Sequence, residues 1–113
     1  MNSQLNNIFA DLPVTVPAEL FETLVQNCHV KIERIISKGQ ASPLDFWYDQ
    51  AFFEWVILLQ GHARLQFAQE RTIITLTAGD YLLIPAHKKH RVDWTDPDIE
   101  CIWLAIHLYE NPK

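Results

Sequence analysis

The chain is poor in the residues that build special-purpose scaffolds. Its 113 residues include two cysteines, Cys28 and Cys101, which make neither a disulfide framework nor a thiolate metal motif. Neither has surroundings that would generate a thiolate nucleophile. Three glycines leave no material for a glycine-rich phosphate loop. No apolar run approaches the roughly 18 residues of a membrane-spanning helix. Basic residues number 9 against 14 acidic ones, for a net charge of −5. Nucleic acid and anionic membranes attract the opposite balance, so neither is an expected partner. The opening MNSQLNNIFADLP has no basic stretch followed by an apolar one, so no secretory signal is expected. Sparse cysteine use points to the reducing cytoplasm. No Ser-His-Asp or Cys-His arrangement emerges from the spacing.

What remains is an ordinary globular composition, 49% hydrophobic and 12% aromatic, in a chain long enough for one domain. A chain of this size buries roughly two thirds of its unfolded surface, enough for one core without staples. Residues 1–28 read as an N-terminal arm, with Pro17 at the first position of a short helix, AELFETLVQ, where its missing N–H costs nothing. From residue 30 the hydrophobic period becomes two. VKIERIIS (30–37) sets Val30, Ile32, Arg34 and Ile36 against Lys31 and Glu33. EWVILLQ (54–60) is apolar on both faces, and HARLQF (62–67) alternates cleanly. TIITL, DYLLIP, HRVDWT and CIWLAIH follow, separated by turn residues. About seven short strands at such spacing predict an all-β sandwich or barrel over residues 29–108, with a tail at 109–113. In 54–60, Glu54, Val56 and Leu58 share one face and Trp55, Ile57 and Leu59 the other. That second face needs a cover, either the arm or a second subunit, so a homodimer is expected.

Two spacings carry chemistry. In IPAHKKHRVDWT (84–95), His90 falls on the face of Val92 and Trp94, while Arg91 and Asp93 fall on the other. Gly79, Pro85 and His90 stand at intervals of six and five, and Glu54 and Gly61 are separated by six residues. In these positions the sequence resembles the cupin superfamily, over about residues 30–108. The resemblance implies a small jelly-roll β-barrel that often holds a metal on three histidines and a glutamate. Here Glu54 and His90 match. Gly39 lies near the family's opening glycine, His87 stands where the second motif has glycine, and Trp94 stands where it has asparagine. The paired histidines before Glu54 are missing. With four intervening residues the pair falls on Trp47 and Asp49, and with three on Tyr48 and Gln50.

From this a candidate site follows. A buried carboxylate must be paired, protonated or bound to a cation. Asp49, Glu54 and His90, joined by His87 if it turns inward, would form an oxygen-rich site for Mn²⁺, Fe²⁺ or Zn²⁺. A direct Glu54–His90 hydrogen bond or a protonated Glu54 would satisfy the same residues without metal. Arg34 could anchor a carboxylate ligand, pair with Glu54 or Asp49, or reach the rim. Trp47 and Trp94 would make the pocket narrow and aromatic, and His107 could line it from the edge or serve as a hydrogen-bonded structural residue. The two functions in view are a divalent-metal site acting on a small substrate, and a metal-free small-molecule-binding or sensory module.

Overall fold

The structure, a computed structural model, describes residues 5–70 and 72–109. It holds eight strands, β1 (Leu20–Gln26), β2 (Val30–Ser37), β3 (Phe53–Gln60), β4 (His62–Phe67), β5 (Ile73–Thr77), β6 (Tyr81–Ile84), β7 (His90–Thr95) and β8 (Cys101–Leu108). Among the described residues there is no helix, and so none long and apolar enough to cross a membrane. All pairings are antiparallel, in a five-stranded sheet ordered β1-β2-β8-β3-β6 and a three-stranded sheet ordered β5-β4-β7.

The helix expected within residues 18–26 is strand β1 instead. A single helix of nine residues is marginal in water. The same residues, with Phe21, Thr23 and Val25 among them, suit a ladder, and the edge of β2 supplies one. The hairpin is closed at Asn27, whose N–H bonds the Val30 carbonyl at 2.9 Å and whose side-chain oxygen accepts from His29 N and Val30 N. The sheet therefore begins at residue 20, and the expected boundary at 28/29 falls inside a hairpin.

The core lies between the two sheets. Val56, Leu58, Ala63, Leu65, Phe67, Leu76, Ile84, Cys101, Trp103 and Ala105 form one buried cluster. On β8 the inward set is thus Cys101, Trp103 and Ala105, not the bulkier Ile102, Leu104 and Ile106. The reason is that the five-stranded sheet is covered on part of its back as well. Residues 5–19 run irregularly over β2, and the Arg34 guanidinium donates to the Ile8 and Ala10 carbonyls at 3.0 and 2.6 Å and pairs with Glu22. Ile36 and Ile102, opposite one another on that outer face, are fully buried. The other half of the back, over β3 and β6, is more open. Tyr81 is 65% and Leu83 49% exposed there.

A bulge in β7 matters for the site. Leu65 pairs with Val92 but Arg64 with Trp94, which leaves Asp93 as the extra residue. Each residue added at a bulge inverts the faces beyond it.

Candidate functional site

Four strands end their inward faces on ionisable groups. β2 runs Ser37, Ile35, Glu33; β3 runs Leu58, Val56, Glu54; β7 runs Thr95, Val92, His90; and β8 runs Cys101, Trp103, Ala105, His107. The register brings them together, with Glu54 opposite His107 and Glu33 opposite Ala105. Glu33, Glu54, His90 and His107 are each more than nine-tenths buried. They line a cavity of about 160 Å³ with Tyr48, Gln50 and an apolar wall that includes Leu65, Val92 and Trp103; Glu19 and Phe21 also line it. Among the described residues, no lysine or arginine lines it.

The ionisable groups lie close without saturating each other. His107 Nε2 is 3.4 Å from Glu33 Oε1 and 3.8 Å from Glu54 Oε2. His90 Nε2 is 3.9 Å from Glu54 Oε1. Glu54's ion-pair contacts thus lie beyond hydrogen-bond length. Each imidazole is held by an aromatic ring, His90 stacked on Tyr48 with centroids 5.4 Å apart and His107 tilted on Phe52 at 4.6 Å. The His90 Nδ1 lies 2.9 Å from the Lys88 carbonyl, which can only accept. Nδ1 therefore carries the proton, and in the neutral ring Nε2 is an acceptor aimed at Glu54.

Loop backbone completes the wall. Tyr48 N–H donates to the His90 carbonyl at 2.7 Å, and His90 N–H returns to Tyr48 at 3.1 Å. His87 N–H donates to the Gln50 carbonyl at 2.7 Å. Tyr48 and Gln50 are thereby held at the cavity, and Gln50 Oε1 is buried there with no hydrogen-bond partner among the described residues. Burial pushes the Tyr48 phenol above its usual range, helped by the negative charges of Glu19, Glu54 and Glu33. Burial also raises the Glu19 carboxyl, against a hydrogen bond from the Ser37 hydroxyl.

Of the residues named from the sequence, Glu54, His90 and His107 meet at the cavity. The others do not line it. Asp49 and His87 face away and bond each other, Oδ1 to Nδ1 at 2.8 Å, at an exposed position. The three-residue spacing before Glu54 is the one that points inward, so Tyr48 and Gln50 take the place assigned to Asp49 and Trp47. His87 has φ +63°, the left-handed backbone of the glycine it replaces, and this carries its ring outward. Trp47 lies against Arg91, 5.9 Å from guanidinium to ring. Trp94 lies under Arg64 at 4.6 Å, turned to the outer face by the Asp93 bulge. Arg34 is on the back of the sheet, because β2 buries both faces and its interior set is Glu33, Ile35 and Ser37. The period-two pattern sets Glu33 on the face opposite Arg34 without saying which is inward, and it gives no sign of Glu19 or Phe21. A charged residue on each face of one strand, Glu33 and Arg34, was the available sign that both faces are covered.

The chain matches the family described as Cupin domain over residues 34–107. It is a cupin. A structure from Ralstonia eutropha JMP134, named as a putative mannose-6-phosphate isomerase, is 44% identical, covers 96% of this chain and 100% of its own, and superposes with a TM-score of 0.91. A cupin superfamily protein from Desulfitobacterium hafniense DCB-2 is 23% identical over 88% of this chain and 84% of its own, with a TM-score of 0.72. An RmlC-like cupin from Desulfovibrio desulfuricans has 15% identity over 94% and 97%, with a TM-score of 0.71. Among curated proteins none matches.

The metal that cupins often carry is tested by the donors present. Tyr48 and Gln50 occupy the inward positions before Glu54, and both are poor ligands for a soft or borderline ion. Among the described residues, no three His, Cys, Asp or Glu side chains are placed to hold a metal ion. With tyrosine and glutamine where the family pattern has its paired histidines, the donor set is a poor fit for a soft or borderline divalent ion.

Proposed function

We propose that this cupin is a small-molecule-binding protein whose cavity takes one compact polar ligand without a resident metal. The observation that carries the reading is the buried, unsaturated polar end of the cavity. Glu54 is 8% exposed and its nearest ion-pair partners stand at 3.8 and 3.9 Å. Buried polar groups left unsatisfied cost free energy that a matching ligand recovers. The volume, about 160 Å³, corresponds to roughly five waters at about 30 Å³ each, small beside the several hundred Å³ of most ligand pockets.

The relative's name raises a sugar phosphate as the ligand. The lining speaks against a dianion here, because among the described residues it has three glutamates and no lysine or arginine, and phosphate recognition relies on such cations. The divalent-metal reading, with Mn²⁺, Fe²⁺ or Zn²⁺ on Asp49, Glu54, His90 and His87, retains Glu54 and His90 alone at the cavity. Elemental mass spectrometry on protein purified without chelators, before and after loading with each ion, tests the choice. Substoichiometric metal is expected. Near one ion per chain, lost in His90→Ala, would overturn the metal-free reading.

Assembly is part of the proposal. The open back of β3 and β6 carries Trp55 and Tyr81, with ring centroids 5.3 Å apart, beside the exposed Leu83. We propose that a second copy of the chain covers this face, as a patch of this kind calls for. Light scattering should give a dimer mass for the parent and a monomer for Leu83→Lys. A monomeric parent at all concentrations would dismiss it.

A further inference from the structure

The ligand's chemistry can be narrowed beyond a compact polar molecule. Resting on the binding reading above, we infer that the cavity selects a small primary ammonium compound, with its N–H groups directed at Glu54, Gln50 and His90.

The argument is one of donors and acceptors. Three groups at the polar end present acceptors without donors to meet them. The Glu54 carboxylate is more than nine-tenths buried and has no ion-pair partner within hydrogen-bond length. Gln50 Oε1 is buried and unpartnered. His90 gives its Nδ1 proton to the Lys88 carbonyl, so its neutral ring offers Nε2 as an acceptor. An ammonium head carries three N–H donors and no acceptor. It matches this wall as a carboxylate, a phosphate or a carbonyl compound does not.

Charge points the same way. Of the three lining glutamates, Glu33 is neutralised from the side by Lys31, at 3.4 Å, which is not part of the lining. Glu19 accepts from the Ser37 hydroxyl at 3.0 Å. Glu54 is left as the carboxylate with no lysine or arginine beside it among the described residues, its nearest contacts being the two imidazoles at 3.8 and 3.9 Å. An incoming cation therefore supplies the partner that a buried carboxylate requires. The rest of the lining suits a short organic stem, since Tyr48, Phe21 and Trp103 offer aromatic surface and Ile35, Leu65 and Val92 aliphatic surface. Cations are attracted to aromatic faces. The cavity's size limits that stem to a few carbons.

The test is calorimetry, with backbone amide NMR, on the intact protein against three matched sets of probes. The first is propylammonium and ethanolammonium chloride. The second is the neutral isosteres 1-propanol and ethylene glycol. The third is butyrate and inorganic phosphate. The ammonium compounds are expected to bind saturably and to shift amides of residues 48–54 and 90–92. Glu54→Gln should weaken them at least about tenfold, as expected for loss of a charged hydrogen bond. Gln50→Leu, which keeps the Glu54 charge, should weaken them less, and His87→Ala, outside the cavity, should leave them unchanged. Circular dichroism checks that each variant folds. Equal or tighter binding of the neutral set, or ammonium binding that Glu54→Gln leaves intact, overturns the cation and keeps the binding cavity. Binding of phosphate or butyrate alone also overturns it. No response to any of the three sets overturns both the cation and the cavity reading.

Discussion

The two ends of the space between the sheets are built by the same strands and behave as different materials. At one end Leu58, Ala63, Leu76, Cys101 and Thr95 are almost fully buried, at 0–1% exposure. At the other, four to six residues along β3, β7 and β8, stand Glu54, His90 and His107, with Glu33 on the neighbouring β2, at 5–8%. Both ends are dry enough to be called interior. The first is filled by side chains at the density of an organic solid. The second keeps a cavity of about 160 Å³ bordered by charge. Folding is driven at the packed end, and the polar end is carried at a cost that the packed end offsets. This is the expected arrangement where a site is placed on rigid strands.

The contrast can be broken most sharply at the packed end. Leu58→Ala leaves a void in a fully buried position, and about 2–5 kcal/mol of folding stability should be lost, measured by urea denaturation. Gly61→Ala should come next. Gly61 has φ +91°, and an added Cβ would stand 2.7 Å from Cys101 Sγ and 3.0 Å from its Cα. A loss of roughly 1–3 kcal/mol is expected from the strained backbone, with more if Cys101 cannot give way. The same denaturation curves would show it.

At the cavity end the same kind of change should do far less to stability. Glu54→Gln removes a charge without removing a hydrogen bond, and the midpoint should move by about 1 kcal/mol or less. A loss as large as that of Leu58→Ala would mean that Glu54 holds the two sheets together, and the two ends would then be alike. The smallest effect is expected at Glu19. Its carboxyl is raised above the ordinary value of 4.5, chiefly by burial. The folded state therefore binds this proton more tightly than the unfolded state. Stability from it is present below about pH 4.5 and is lost as pH rises through the raised folded value. Glu19→Gln should accordingly be the more stable protein at pH 7, with the gap closing in acid, in paired thermal melts from pH 3.5 to 7. A variant less stable than the parent at pH 7 would show that the Ser37 bond outweighs burial.

Much of this was legible in the chain. The period-two runs located seven of the eight strands, and the spacing of Gly79, Pro85 and His90 with Glu54 and Gly61 pointed to the family that the match over residues 34–107 establishes. Inward placement of Glu54 and His90 followed from Val56, Leu58 and Val92 on their faces. The eighth strand was missed because AELFETLVQ satisfies helix and strand patterns alike, and only the open edge of β2 decides between them. Trp94 was misplaced because alternation holds only while the ladder is unbroken, and the bulge at Asp93 breaks it.

The sequence by itself determined seven of the eight strands, the family and two cavity-facing positions, Glu54 and His90, because those rest on local periodicity and fixed spacing. Tertiary structure alone decided that Tyr48 and Gln50, not Trp47 and Asp49, face the cavity, that His87 turns outward onto Asp49, and that Glu33 rather than Arg34 looks inward. Each of those is a choice between two faces of an extended chain. A strand or loop presents both faces equally until a neighbouring sheet, a bulge or a left-handed turn makes one of them the inside.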